Sequence, residues 1–182
     1  MKKLLLLSLA ILLVMPVMAQ KKNTVKKNAP AAAVSVGEVN DDGSAKKIYD
    51  EEIDPMSQID EALELARQTS RFVICQVGGN WCPWCLRFAQ FITKDPEISK
   101  IVDENFVYIH VNTSKEHKNY EALKRLGNPG RFGYPALVIL NEEGNVMHIQ
   151  NSSYLELDKS YDRKKVLEFF LNWTRQAIEE VK

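Results

Sequence analysis

Trp81-Cys82-Pro83-Trp84-Cys85 stands between a run of apolar residues, Phe72-Val73-Ile74-Cys75-Gln76-Val77, and a second one, Leu86-Arg87-Phe88-Ala89-Gln90-Phe91-Ile92. The first run is nearly continuous in apolar residues, as a strand covered on both faces would be. Gly78-Gly79-Asn80 is a flexible link, and the second run reads as a helix. The order is therefore strand, Gly-rich turn, Cys-x-x-Cys, helix, a context that separates a redox motif from a metal knuckle.

Cysteines three apart on a first helical turn lie on one face and are close enough to bridge. Pro83 falls at the first helical position, where a missing N–H costs little. The free N–H groups of that turn converge on Cys82, and with the helix dipole they favour a thiolate and lower its pKa. A thiolate is what attacks a disulfide sulfur. Cys82 is thus the candidate nucleophile, and Cys85 the thiol that resolves a mixed disulfide. Two blander readings compete. A structural zinc site needs about four ligands, whereas the third cysteine, Cys75, sits inside the expected strand and no histidine is near in sequence. A purely structural disulfide closing so small a loop would restrain the unfolded chain only slightly.

The motif Trp81-Cys82-Pro83-Trp84-Cys85 after a strand, followed downstream by Tyr134-Pro135 before another apolar strand, resembles the thioredoxin superfamily over about residues 54–181. Within it the chain looks most similar to secreted, single-domain thioredoxin-like proteins of bacteria. The resemblance implies an α/β fold with a mixed central sheet flanked by helices. Two parallel strands would be joined by the active-site helix, and a C-terminal hairpin would run antiparallel. It also implies a cis Tyr134–Pro135 bond, lying against the cysteine pair and exposing the Tyr134 backbone to an extended peptide. Trp81, Pro83, Trp84, Tyr134 and Pro135 become the expected substrate-binding surface. Read without the resemblance, Pro135 is a trans proline opening a strand. One residue departs from the family pattern. Many thioredoxins carry a buried Asp six residues before the first cysteine, able to relay a proton for the resolving thiol. Gln76 holds that place here and cannot titrate, so the resolving step is expected to be slower. The Cys-Pro-aromatic-Cys dipeptide resembles glutaredoxins more than thioredoxins.

Residues 1–19 read as a secretory signal peptide: Lys2-Lys3, an apolar run over 4–14, Pro16, then Val17-Met18-Ala19 at a cleavage site. The run is short for a membrane span, which needs about 20 apolar residues; an uncleaved anchor is the competing reading. Residues 20–44, with Lys21, Lys22, Lys26 and Lys27, offer little to bury and read as a flexible linker. Its lysines are read as a solvated leader rather than a lipid contact. Residues 45–182 are long enough for one domain with its own core. Charge is balanced, 24 basic against 24 acidic residues, and setting aside the leader and linker, with six lysines and the three acidic residues Glu38, Asp41 and Asp42, leaves 18 against 21. A mildly acidic domain gives no reason to expect nucleic acid as a partner.

Asp54-Pro55 opens a first helix, with Ile59, Ala62, Leu63 and Ala66 facing the sheet. Asp95-Pro96 ends the helix after the cysteines, and a short helix over 97–104 follows. A strand over 106–111 puts Phe106, Tyr108 and His110 on one face. His110 reads as a packed or rim residue; His117 lies in a polar loop and His148 in the last strand, and none is expected to be catalytic. A short helix over 119–126 leads into a mobile loop, 127–133. Strands over 136–140 and 146–150 flank a Gly-containing turn. The closing helix spans 162–181, burying Val166, Phe169, Phe170, Trp173 and Ile178. Residues 151–161 have no legible task. Cys75 reads as a small buried core residue.

The sequence thus points to an exported, periplasmic thiol–disulfide oxidoreductase that exchanges disulfides with cysteine-containing exported proteins or small thiols through Cys82 and Cys85, working as a reductase and recharged by an upstream redox partner. No cofactor or metal is expected. A disulfide isomerase, or a non-catalytic module holding peptides in the cis-proline groove, are the alternatives.

Overall fold

The computed structural model describes residues 47–180. The expected signal peptide, the linker and the last residue of the expected closing helix lie outside them.

The strand before the cysteines, β1 (Phe72–Gly78), is buried along its whole length. β2 (Phe106–Asn112) pairs parallel to it, with Gln76 opposite His110 and Gly78 opposite Asn112. On its other edge β3 (Ala136–Leu140) runs antiparallel, and β4 (Val146–Asn151) pairs antiparallel to β3. The sheet order is β2-β1-β3-β4. A parallel pair needs a crossover, and here α2 (Pro83–Lys94) and α3 (Pro96–Asn105) supply it.

Alternation along the strands sorts the core into two layers. Phe72, Ile74, Phe106, Leu137 and Ile139 meet Phe88 and Ile92 of α2, Ile98 and Val102 of α3, and Val166 and Phe170 of α5 (Arg163–Asn172). On the opposite face Val73, Cys75, Val77, Val107 and Val111 meet α1 (Pro55–Thr69) and α4 (Tyr120–Arg125). Burying side chains such as Phe88 or Phe170 completely is worth roughly 1.5–3 kcal/mol each. Cys75 is a free, fully buried thiol, pushed by burial up to about 12.

Capping sets the angles between elements. The Asp54 carboxylate accepts from Ser57 N at the start of α1, and Pro55 follows it. Asp95 closes α2 and opens α3, accepting from Glu97 N and Ile98 N, both at 3.1 Å. Arg163 of α5 grips the same carboxylate at 2.6 Å and, with those N–H groups, holds it below the ordinary aspartate range.

Three expectations change. The loop over 127–133 contains a 3₁₀ turn, Pro129–Phe132, entered through Asn128 at φ 54°. The closing helix is not continuous: α5 stops at Asn172, and α6 (Arg175–Glu179) begins after a break. Thr174 explains it, since its hydroxyl bonds Leu171 O at 3.1 Å and accepts from Ala177 N at 3.2 Å, offering the backbone a cap instead of another turn. The break swings Ile178 out, to 39% exposed, contrary to its expected burial, while Trp173 stacks on His148 at 4.7 Å. Residues 151–161 fold into a 3₁₀ turn, Ser152–Leu155, and a small ribbon, β5 (Glu156–Leu157) with β6 (Ser160–Tyr161). Tyr161 packs edge-on against Trp84 and Phe88, and its hydroxyl donates to the Trp84 carbonyl at 3.1 Å. The segment without a legible task therefore buttresses the first turn of α2.

Candidate active site

β1 delivers the chain to Gly78, and α2 starts five residues later. Cys82 is the N-cap residue of α2, with extended φ/ψ, and Pro83 occupies the first helical position. Its sulfur accepts the Cys85 N–H at 3.2 Å and its carbonyl receives Cys85 N and Leu86 N. The cap role normally taken by a hydroxyl or carboxylate oxygen is filled by the sulfur itself. Cys82 and Cys85 are joined in a disulfide with Cα atoms 5.2 Å apart. Cys82 is 5% exposed and Cys85 is fully buried. Of the two, only Cys82 keeps any exposure, so an incoming group reaches it before Cys85.

The expected flanking residues gather at this sulfur. The Tyr134–Pro135 peptide is cis, and the Tyr134 carbonyl oxygen lies 3.7 Å from Cys82 Sγ. Trp81 is 54% exposed and meets the Tyr134 ring edge-on at 5.5 Å. Its Nε1–H donates to Thr113 O at 2.6 Å, which anchors the indole to the end of β2. Trp84 lies between the Tyr161 ring and the Arg87 guanidinium, 4.6 Å from its centroid. Trp81, Cys82, Tyr134 and the cis proline thus border one face, while Pro83 starts the helix behind them and Trp84 turns toward the Tyr161 ribbon.

Beneath the disulfide lies a buried polar cluster that the sequence only hinted at. Gln76 is fully buried and bonded on both ends. Its Nε2–H donates to Tyr49 Oη at 2.5 Å and to the Cys85 carbonyl at 3.1 Å, while Tyr108 O–H donates to its Oε1 at 2.7 Å. Beside it His110 is half-buried with its Nε2 shielded from solvent, its ring edge-on to Tyr49 and Tyr108, and desolvation lowers its pKa to about 4. His117 and His148 lie away from the cysteines, in the polar loop and on β4. Among the described residues no three His, Cys, Asp or Glu side chains come together as metal ligands.

Tyr49 and Asn80 are the site residues that sequence reasoning missed. Asn80 Oδ1 accepts from Ile48 N and Tyr49 N, both at 3.1 Å, and Nδ2 donates to Tyr49 O at 2.8 Å and Glu51 Oε1 at 3.2 Å. One side chain thereby staples the segment before α1 onto the turn before the cysteines. The available signal was Ile48-Tyr49, an apolar pair within a charged run. Gly78 and Gly79 are needed for close approach: a Cβ on Gly78 would collide with Cys85 Sγ, and one on Gly79 with the Trp81 ring.

Comparison with known proteins agrees with this geometry. Residues 54–142 match the family model described as Thioredoxin-like. Those residues therefore carry a Thioredoxin-like domain. Among solved structures it is similar to a disulphide isomerase from Xylella fastidiosa Temecula1, with a TM-score of 0.61 and 22% identity over 68% of this chain and 94% of that one. It is also similar to a thioredoxin from Thermus thermophilus, with a TM-score of 0.47 and 24% identity over 65% and 85% of the two chains. No curated protein matches the chain.

Proposed function

We propose that the protein is an exported thiol–disulfide oxidoreductase working as a reductase of disulfides in other exported proteins or of the disulfides of small thiols. The observation that carries this reading is the asymmetry of the pair. Cys82 caps a helix with an N–H donated to its sulfur, and Cys85 is sealed beneath it. The reduced Cys82 is the thiolate that attacks a substrate disulfide, forming a mixed disulfide and releasing one substrate thiol. Cys85 then attacks Cys82 Sγ, expels the second thiol and restores the Cys82–Cys85 bond. The Tyr134 carbonyl, beside Cys82 Sγ, is placed to accept a backbone N–H from an extended substrate strand. Trp81 and Pro135 complete the surface on which it lies, with Pro83 starting the helix behind it and Trp84 turned toward Tyr161. Each turnover leaves the pair oxidised, so a dithiol donor must recharge it.

Trapping tests the roles. Cys85→Ser protein incubated with an oxidised protein substrate should accumulate an adduct that dithiothreitol cleaves, and Cys82→Ser should form none. If Cys85→Ser accumulates nothing, the assignment of nucleophile and resolving thiol is wrong. Titrating the pair against glutathione then reads the direction, since a potential far above that of the glutathione couple marks an oxidant and would refute the reductase reading.

A further inference from the structure

Tyr49 Oη accepts a hydrogen bond from Gln76 Nε2, and among the described residues its own O–H proton has no acceptor. A methyl group built on Gly78 would meet Cys85 Sγ and, at 2.9 Å, Tyr49 Oη together. The hydroxyl and the sulfur therefore border the same gap, the one left by the absent side chain of Gly78. Tyr49 also packs with Cys82 and Cys85 as one buried cluster. A disulfide sulfur is a weak acceptor, but a thiolate draws a short, charge-assisted hydrogen bond. We propose that Tyr49 O–H is the hydrogen-bond donor to the Cys85 thiolate, so that a phenol donor readies the resolving sulfur where a titrating carboxylate is absent.

This inference rests on the thiol-exchange reading above. In the mixed disulfide, Cys85 S–H gives its proton to solvent and its thiolate is held by Tyr49. The thiolate attacks Cys82 Sγ; the Cys82–Cys85 bond forms as the bond from Cys82 to the substrate sulfur breaks. The substrate sulfur leaves with the electron pair and takes a proton from solvent. Tyr49 keeps its own proton throughout. Burial, which raises its pKa well above the ordinary tyrosine value, keeps it a donor rather than a base. The groups around it carry no charge near neutral pH: Gln76 on β1, Tyr108 and His110 on β2, and Asn80 before α2. His110 is kept neutral by the desolvation of its ring.

The test reads the acidity of Cys85 directly. In Cys82→Ser protein labelled with ¹³C at cysteine Cβ, Cys85 and Cys75 are the remaining thiols, and Cys75 stays protonated across the range. Adding Tyr49→Phe should raise the Cys85 midpoint by about one pH unit, which is about tenfold less thiolate below the midpoint. Placing 3-fluorotyrosine at position 49, a stronger donor of the same shape, should lower the midpoint, and it supplies the answer if the Phe variant fails to fold. A midpoint that neither change moves overturns the proposal and leaves Tyr49 a packing residue. Insulin reduction by the unaltered protein separates the two levels. Turnover with an unmoved midpoint refutes only the role of Tyr49. A moved midpoint without turnover keeps the hydrogen bond and refutes the reductase reading.

Discussion

Replacing Gln76 by Glu keeps the length of the side chain and exchanges an amide for a carboxyl in a fully buried site. Gln76 donates twice, to Tyr49 Oη and to the Cys85 carbonyl, and accepts once, from Tyr108. A protonated Glu can still donate once and accept from Tyr108. An ionised one can donate nothing and leaves the Cys85 carbonyl without this partner. Burial raises a carboxyl pKa by up to 3–5 units, and the Tyr108 donor offsets part of that, so a shift of about 2–3 units from about 4.3 is reasonable. Each unit is worth about 1.4 kcal/mol, giving a loss of about 3–4 kcal/mol. The sign follows from the raised native pKa. Below about pH 4 the carboxyl is protonated folded and unfolded, and the variant is at its most stable relative to the natural protein. As pH rises, the unfolded chain ionises first, and the penalty grows until the folded pKa, near about 7, is reached. Calorimetry of the two oxidised proteins from pH 4 to 8 should show a gap in Tm widening by roughly 10 °C across that window. A gap that stays constant would show that the carboxylate is hydrated and that the polar cluster is not sealed. The same variant should reduce insulin faster near neutral pH, because a carboxylate with a raised pKa can take the Cys85 proton. An unchanged rate would mean that water already carries it. Gln76→Asp, one methylene shorter, should lose the Tyr108 contact as well and be less stable than Glu.

Asn80→Ala removes the side chain that ties Ile48, Tyr49 and Glu51 to the active-site turn. It should lower stability by about 2–3 kcal/mol, slow disulfide reduction and expose residues 47–52 to proteolysis, read by calorimetry, insulin turnover and peptide mapping. Thr174→Ala should cost about 1 kcal/mol as a lost helix cap while leaving the potential of the Cys82–Cys85 pair unchanged. The exported form should begin at Gln20, read by mass spectrometry of protein from the periplasmic fraction; intact Met1 in a membrane fraction would point to an anchor.

The strongest periodicities in the sequence are those whose partners lie nearby or whose chemistry is local. Phe72 to Val77 reads as a covered strand because β2, β3, α1 and α2 all bury it, and Asp54, Pro55, Asp95 and Pro96 announce helix starts through their own caps. Cys82 and Cys85 declare themselves through spacing. What stayed illegible depends on distant pairings. Gln76 looked like a missing acid, yet it is a three-way tie whose partners come from 27 and 32 residues away. Tyr49 lies in a stretch too polar and too short to show period. Ile178 keeps the spacing of a buried face, and a single hydroxyl at Thr174 turns it outward.

The staple made by Asn80 also fixes where the chain enters the domain. β1 runs from Phe72, beside Arg175 and the start of α6, to Gly78 beneath the disulfide. Seven residues of strand span roughly 20 Å. Residues 48 and 49 are pinned at the cysteine end, and α6 lies at the other. A dye, bead or surface coupled just ahead of residue 47 would therefore crowd the redox-active sulfur and slow its encounters with large substrates. The same attachment after residue 180 would hold the molecule by its far pole with the cysteine pair facing outward.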